Sequence, residues 1–468
     1  MTDLLVRGGA VVTAEGSRRA DVLVRGEVIA AVDDDLSGLA RDHDVEVADA
    51  TGLLVLPGAV DVHTHTRVAT AAEPDRFFRD SVAAAFGGTT TFLAFNNPGT
   101  GSSPAAERSL LAGLREFRAA TAADGAVDFA PSLAISGRMD RLTDELPAIV
   151  DEGVPTAKAF MVFDFRLDDR RLSEAIRVLG ARGGMLQVHC EDPDLIDTAV
   201  AAALARGDTA PRFHATTRST EAEAIATRRA MGYARAADAP VHVVHLSAAA
   251  ALRAVREAKA SGVRAHAETC PHYLALTSER YASPDPAIVT GSVIAPPLRP
   301  PADQDALWAG LAAGDLDLIA TDHVPDRMDR EKAEAIRGVP FDRLSNGAPG
   351  IETLLAIGYG LGVARGRLTI ERLVDLIATT PARLFGLPRK GAIEVGRDAD
   401  LVLFDPDARR TIRSAELHHT SDYTPYEGLE VPGAVRSVYV RGRAVIRDGA
   451  FVGQRGFGRL VERGPIAA

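Results

Sequence analysis

Cysteine, lysine and long apolar runs are all scarce in this 468-residue chain. Two cysteines, Cys190 and Cys270, are too few for a disulfide framework and point to a reducing compartment. The N-terminus, Met1-Thr2-Asp3-Leu4-Leu5-Val6-Arg7, enters a strand pattern directly and has no signal-peptide layout, so a cytoplasmic setting is expected. No apolar run reaches the roughly 18 residues of a membrane span. Net charge is −11, which offers no basic surface to nucleic acid or to an anionic membrane. Of 53 basic residues only Lys158, Lys259, Lys332 and Lys390 are lysines. Three of these lie in polar, surface-like contexts. Lys158 instead lies between Ala157 and the run Ala159-Phe160-Met161.

What is present is a globular composition, 46% hydrophobic and 25% charged. The length implies two domains or one large barrel with an accessory. Both ends read as short strands with Gly turns, such as Ala20-Asp21-Val22-Leu23-Val24 and Val435-Arg436-Ser437-Val438-Tyr439-Val440. Residues 1–56 and 389–468 are therefore expected to build one composite β-sandwich domain. Between them, strand-like runs fall at 53–62, 89–96, 127–135, 154–161, 184–189, 241–246, 263–269 and 316–322. Ala-rich amphipathic helices separate them, at 74–86, 104–120, 169–182, 219–236, 247–260 and 301–313. Eight such units over 57–388 predict an α/β fold, a (β/α)8 TIM-type barrel, with its chemistry at the C-terminal strand ends.

Those ends carry a constellation. His63 and His65 close the first run, and their i, i+2 spacing puts both imidazoles on one face of a strand. Lys158 lies on the fourth run, His189 ends the fifth, His245 the sixth and Asp322 the eighth. Singly, each histidine could be a hydrogen-bonded core residue, Asp322 a helix N-cap, and Lys158 a salt-bridged structural lysine. Together at one barrel face they read as a metal site. Burial favours the neutral amine of Lys158. Such an amine can take up carbon dioxide as a carbamate, whose two oxygens can bridge two cations. His242 is expected to face away from the barrel interior. His43, His214, His418 and His419 are expected at the surface, and His272 and His323 lie near the site without a role.

The set Asp61-Val62-His63-Thr64-His65, Lys158, His189, His245 and Asp322 resembles the binuclear amidohydrolase superfamily. With Cys270-Pro271-His272-Tyr273-Leu274 and Asn346-Gly347-Ala348-Pro349-Gly350, it resembles the hydantoinase/dihydropyrimidinase branch, related to dihydroorotase and allantoinase. The resemblance implies a metal-dependent cyclic amidohydrolase acting on a small-molecule ring: a hydantoin, dihydropyrimidine or cyclic imide, opened to an N-carbamoyl or half-amide acid. It implies His63, His65 and Asp322 on one metal, and His189 and His245 on a second. A carbamate on Lys158 and a hydroxide would bridge the two, with Asp322 as the catalytic proton carrier. Two divalent ions, zinc by ligand type with manganese as an alternative, are the implied cofactors. The branch is typically dimeric or tetrameric, and Tyr423-Thr424-Pro425-Tyr426-Glu427-Gly428 is a plausible contact segment.

Substrate contacts diverge from the branch. Phe163 stands where it usually has a tyrosine that holds the substrate carbonyl, and Ala295 where it commonly has serine. Asn346 is kept. Arg67 stands where dihydroorotases use an arginine to hold a substrate carboxylate, and Asn96-Asn97-Pro98 resembles a dihydroorotase segment with an assisting asparagine, expected here as Asn97. Dihydroorotase- or allantoinase-type chemistry is thus the alternative. Phe77, Phe78, Phe163 and Phe165 could form an apolar mouth. A remoter alternative is a non-catalytic dihydropyrimidinase-like scaffold, a group that keeps the fold and loses the ligands.

Overall fold

A computed structural model describes residues 3–39, 45–96 and 103–466. The N-terminal part forms β1 (Asp3–Val12), β2 (Ser17–Arg25), β3 (Val28–Asp33), β4 (Val45–Asp49) and β5 (Leu54–Pro57). Then follow β6 (Ala59–Thr64), β7 (Thr89–Asn96), β8 (Asp128–Ala134), β9 (Thr156–Phe160), β10 (Met185–His189), β11 (Val241–Val243), β12 (Ala265–Thr269) and β13 (Leu318–Ile319). The C-terminal part adds β14 (Leu401–Thr411), β15 (Glu430–Val440), β16 (Arg443–Arg447) and β17 (Ala450–Phe451).

Strands β6 to β13 pair in sequence order as one eight-stranded parallel sheet. A Thr64–His323 bridge and the bond from His65 N to His323 O (2.7 Å) bring its last edge back to its first, making a barrel. Helices cover its outside. In Asp169–Gly180, Leu172, Ala175, Ile176 and Leu179 form the buried stripe that helical periodicity dictates. Asp168 and Ser219 cap their helices by accepting from Arg171 N and Ala222 N.

The two chain ends meet in a nine-stranded mixed sheet, with β14 antiparallel to β5 in the register Leu401↔Pro57. This corrects the expected run 53–62, which is two strands in two sheets. Gly58 is the hinge: a Cβ there would fall 2.0 Å from Thr90 Oγ1.

Lys390 joins sheet and barrel. Its buried amine donates to Asp128 Oδ2 on β8 (2.6 Å) and Asp400 Oδ2 (2.8 Å), with Asp398 Oδ2 at 3.0 Å. Lys332 is fully buried as well. Both were expected at the surface. Their local sequence is polar, but the fold wraps carbonyls and carboxylates around them.

Candidate functional site

The six strand-end residues converge. His63 and His65 project from β6 and its end, Lys158 from β9 and His189 from β10. His245 lies two residues past β11, and Asp322 three residues past β13. Lys158 Nζ lies 2.7 Å from His63 Nε2 and 3.4 Å from His65 Nε2. Asp322 Oδ1 lies 2.9 and 3.1 Å from the same two nitrogens. The His245 ring stands 4.5 Å from that of His189 and 5.4 Å from that of His63. Ligand atoms of His63, His245 and Asp322 all lie within 4.8 Å of one another.

Burial and the nearby Lys158 hold the His65 imidazole at about 4. Burial, His189 and Lys158 push His245 well below its ordinary value. Burial would raise the Asp322 carboxyl, but His63, His65 and Lys158 outweigh it and hold it well below the usual carboxylate range. Burial also pulls the Lys158 amine down to about 8, against Asp322 and Glu268. At neutral pH the cluster therefore offers the unprotonated imidazoles of His65, His189 and His245 beside an ionised carboxylate, whereas at His63 burial and Lys158 are outweighed by Asp322 and Glu268, which raise that imidazole. This is a donor set for a divalent cation. His245 Nδ1, buried without a hydrogen-bond partner among the described residues, fits that use.

A layer of buried carboxylates holds these groups, and sequence reasoning assigned it no role. Glu268 on β12 accepts from His63 Nδ1, from His242 Nε2 (2.9 Å) and from His245 N (3.3 Å). Burial raises its carboxyl, but the His63 charge and the bonds from His242 and His63 bring it to about 2. Glu191 accepts from His189 Nε2 (2.7 Å) and pairs with Arg218. Asp61 ties β6 to the Asp322 turn, accepting from Thr321 Oγ1 (2.5 Å) and Thr321 N (3.1 Å). Two-residue spacings, Asp61 to His63 and His189 to Glu191, were the only local signals for the three.

Several expectations are corrected. His242 faces inward, in register with Gln187 of β10 and bonded to Glu268. The strand ends at Val243, so alternation counted back from His245 does not hold. His214 and His419 are buried, His418 is partly exposed, and His43 lies outside the described residues. His214 Nε2 bonds Ile294 O (2.9 Å), and His323 Nδ1 accepts from Gly350 N (3.1 Å). Phe77 is core, packed on Phe92 and Phe129, and Phe78 packs on Phe451. Tyr423 and Tyr426 are buried within their own chain, and Tyr423 donates to Gly347 O (3.2 Å).

A cavity of 220 Å³ opens on the cluster and is lined by Phe163, Phe165, Ala295, Val324 and Asn346 together with five of the six cluster residues, all but His63. Arg67 is not among its walls. Its guanidinium is taken up by Asp326 Oδ1 (2.7 Å) and Glu331 Oε1 (2.6 Å). Asn97 lies outside the described residues. Phe163, His245 and Asp322 all have left-handed backbone, with φ of 75°, 38° and 47°.

Imidazoles, a carboxylate and a buried lysine gathered at the strand ends of a parallel barrel define the frame of a metal-dependent hydrolase. Residues 54–445 match the amidohydrolase family. The chain is 36% identical over 467 residues to the D-phenylhydantoinase of Escherichia coli (strain K12), covering 99% of this chain and 98% of that one. Among solved structures it is similar to dihydropyrimidinase from Brevibacillus agri NCHU1002 (TM-score 0.93, 38% identity, 100% of each chain). L-hydantoinase from Arthrobacter aurescens superposes with a TM-score of 0.88 at 29% identity, covering 99% of this chain and 100% of that one. The chain belongs to the amidohydrolase family, within its hydantoinase branch.

Proposed function

We propose that this hydrolase opens a neutral cyclic amide or ureide (a hydantoin, dihydropyrimidine or cyclic imide) to the N-carbamoyl or half-amide acid. The observation that carries this is the convergence of six metal-competent groups, five of them lining a 220 Å³ cavity, a volume suited to one small ring. His63, His65 and Asp322 would hold one divalent cation, and His189 and His245 a second, zinc by ligand type. The cations would lower the pKa of a water and polarise the ring carbonyl. Lys158 as an amine presses on the nitrogens that a cation needs. As a carbamate it would add two oxygens in place of that positive charge. Asp322 takes the proton from the attacking water and returns it to the ring nitrogen as the C–N bond breaks. Ala295 and Asn346 flank the ring, and Phe163 and Phe165 exclude water on its open side.

A carboxylate-bearing ring, as in dihydroorotase-type chemistry, needs an available cation. Arg67 is held between two carboxylates, which favours the neutral ring. Cys190 and Cys270, buried and unpaired, fit a reducing cytoplasm. No helix among the described residues is long and apolar enough to cross a membrane. Assembly as a homodimer or homotetramer is part of the proposal.

The test is ring opening of hydantoin, 5-substituted hydantoins, dihydrouracil, dihydroorotate, allantoin and succinimide. Chelator treatment should abolish activity, and zinc with bicarbonate should restore it. Lys158→Ala should lose bound metal. A metal-free protein of full activity, or activity confined to dihydroorotate, would refute the assignment.

A further inference from the structure

Lys332 follows Asp322 by ten residues and carries none of the expected roles. Its side chain is fully buried. The amine donates to Val293 O (3.0 Å) and to Ser345 O (2.7 Å). Val293 O also accepts from Gly347 N (3.1 Å). The two braced segments run on to Ala295 and Asn346, which line the cavity. One ammonium group therefore cross-links two of the backbone segments that line the cavity beside the cluster.

The counter-charge comes from a chain of ion pairs. Asp326, fully buried, puts Oδ2 3.7 Å from Lys332 Nζ and accepts on Oδ1 from Arg67 Nη2. Arg67 also binds Glu331, whose Oε2 accepts from Arg327 N (3.0 Å). Arg67 itself leaves the end of β6 two residues past His65. The chain Arg67–Asp326–Lys332 thus runs from the strand that carries two of the cluster's imidazoles to the opposite bank of backbone. Burying an amine at 3.7 Å from its carboxylate is costly, and apolar side chains of similar volume often do as well for stability. What the amine supplies that they cannot is a fixed distance between two carbonyls.

We propose that Lys332 is a positioning residue for the cyclic amide ring, setting the separation of the 293–295 and 345–347 segments, with Arg67 holding its counter-ion in place. This rests on the reading of Ala295 and Asn346 as ring contacts. It also gives Arg67 a role other than binding a substrate carboxylate.

The test uses the full-length, metal-bearing protein and the variants Lys332→Met and Arg67→Met. The readouts are kcat and KM on hydantoin, bound metal, and amide hydrogen exchange at 293–295 and 345–347. Loss of a charged hydrogen bond predicts a KM rise of about tenfold or more in Lys332→Met, with kcat within about threefold and metal content unchanged. Exchange in both segments should quicken by about tenfold. Arg67→Met should move KM in the same direction by about threefold, and it decides the matter if Lys332→Met does not fold. Unchanged exchange overturns the brace. Faster exchange with wild-type KM overturns the positioning role, as does a loss confined to metal content or kcat. A wild-type protein inactive on every cyclic amide overturns the functional reading instead, while the exchange data still judge the brace.

Discussion

Replacing Glu268 by glutamine changes one oxygen to an amide nitrogen and is predicted to cost the site its metal before it costs the fold. The carboxylate is fully buried and accepts three hydrogen bonds, from His63 Nδ1, His242 Nε2 and His245 N. Each oxygen faces an imidazole N–H, so a carboxamide must set its NH2 against one of them. Either His63 or His242 then changes tautomer. If His63 does, the proton moves to Nε2, the nitrogen that faces Asp322 and Lys158, and that nitrogen can no longer bind a cation. Loss of such a supporting partner lowers metal affinity by about 10–100-fold, or roughly 1.4–2.8 kcal/mol.

Glu268→Ala is harsher. It leaves three buried donors without an acceptor, at about 1–3 kcal/mol each, so the unfolding free energy should fall by about 3 kcal/mol or more. Metal content measured across a chelator series separates the first effect, and urea unfolding of the metal-stripped proteins separates the second. Wild-type chelator resistance in Glu268→Gln, or a loss below about 1 kcal/mol in Glu268→Ala, would refute the reasoning.

His214 and His419 are held at about 3, the first by burial and Arg218, the second by burial and His323. Their unfolded value is about 6.5, so only the unfolded chain takes up these protons as pH falls through 6.5. Stability is fully present above pH 6.5 and falls by up to about 1.4 kcal/mol per pH unit per group below it. His214→Gln should remove about one proton from that slope between pH 7.5 and 5.5 in urea titrations, and an unaltered slope would count against it. Gly347→Ala puts a Cβ 2.5 Å from Val324 Cβ, beside the cavity. It should destabilise by about 1–3 kcal/mol and raise KM, and a wild-type Tm would contradict the packing. Lys390→Met removes the buried cation shared by Asp128, Asp398 and Asp400, leaving Arg441 to Asp128 and Arg389 to Asp398, and should cost about 3 kcal/mol in urea unfolding.

The strand-borne part of the site was legible because a strand has a period of two and its apolar run marks its end. His63, Lys158 and His189 all lie on regular strands, and His65 one residue past β6. The partners that hold them were not legible. Glu268 on β12 bonds to β6 across the barrel and to β11 beside it, and no spacing along the chain encodes that meeting. Lysine scarcity was a usable signal, since Lys158, Lys332 and Lys390 are all buried. Local polarity misread two of the three, because the groups that bury Lys332 and Lys390 come from elsewhere in the chain. The ion pairs of Arg67 were hidden for the same reason: its partners, Asp326 and Glu331, are some 260 positions away.

His245 and Asp322 were found by the ends of their apolar runs, but the alternation that led to them stops short. Strands β11 and β13 end at Val243 and Ile319, and the chain delivers both side chains to the cluster through left-handed backbone. Phe163 enters the same cavity in the same way. Among the described residues six non-glycine positions have positive φ, and three of them face this one cavity. Each costs on the order of 1–3 kcal/mol and persists only where surrounding structure over-determines it. A sequence reading places such turns by glycine and asparagine, and none of the three positions carries either. The site therefore depends on a backbone geometry that side-chain pattern could not announce, and the carboxylates that enforce it, Glu268 behind His245 and Asp61 behind the Asp322 turn, are the residues the same pattern left without a role.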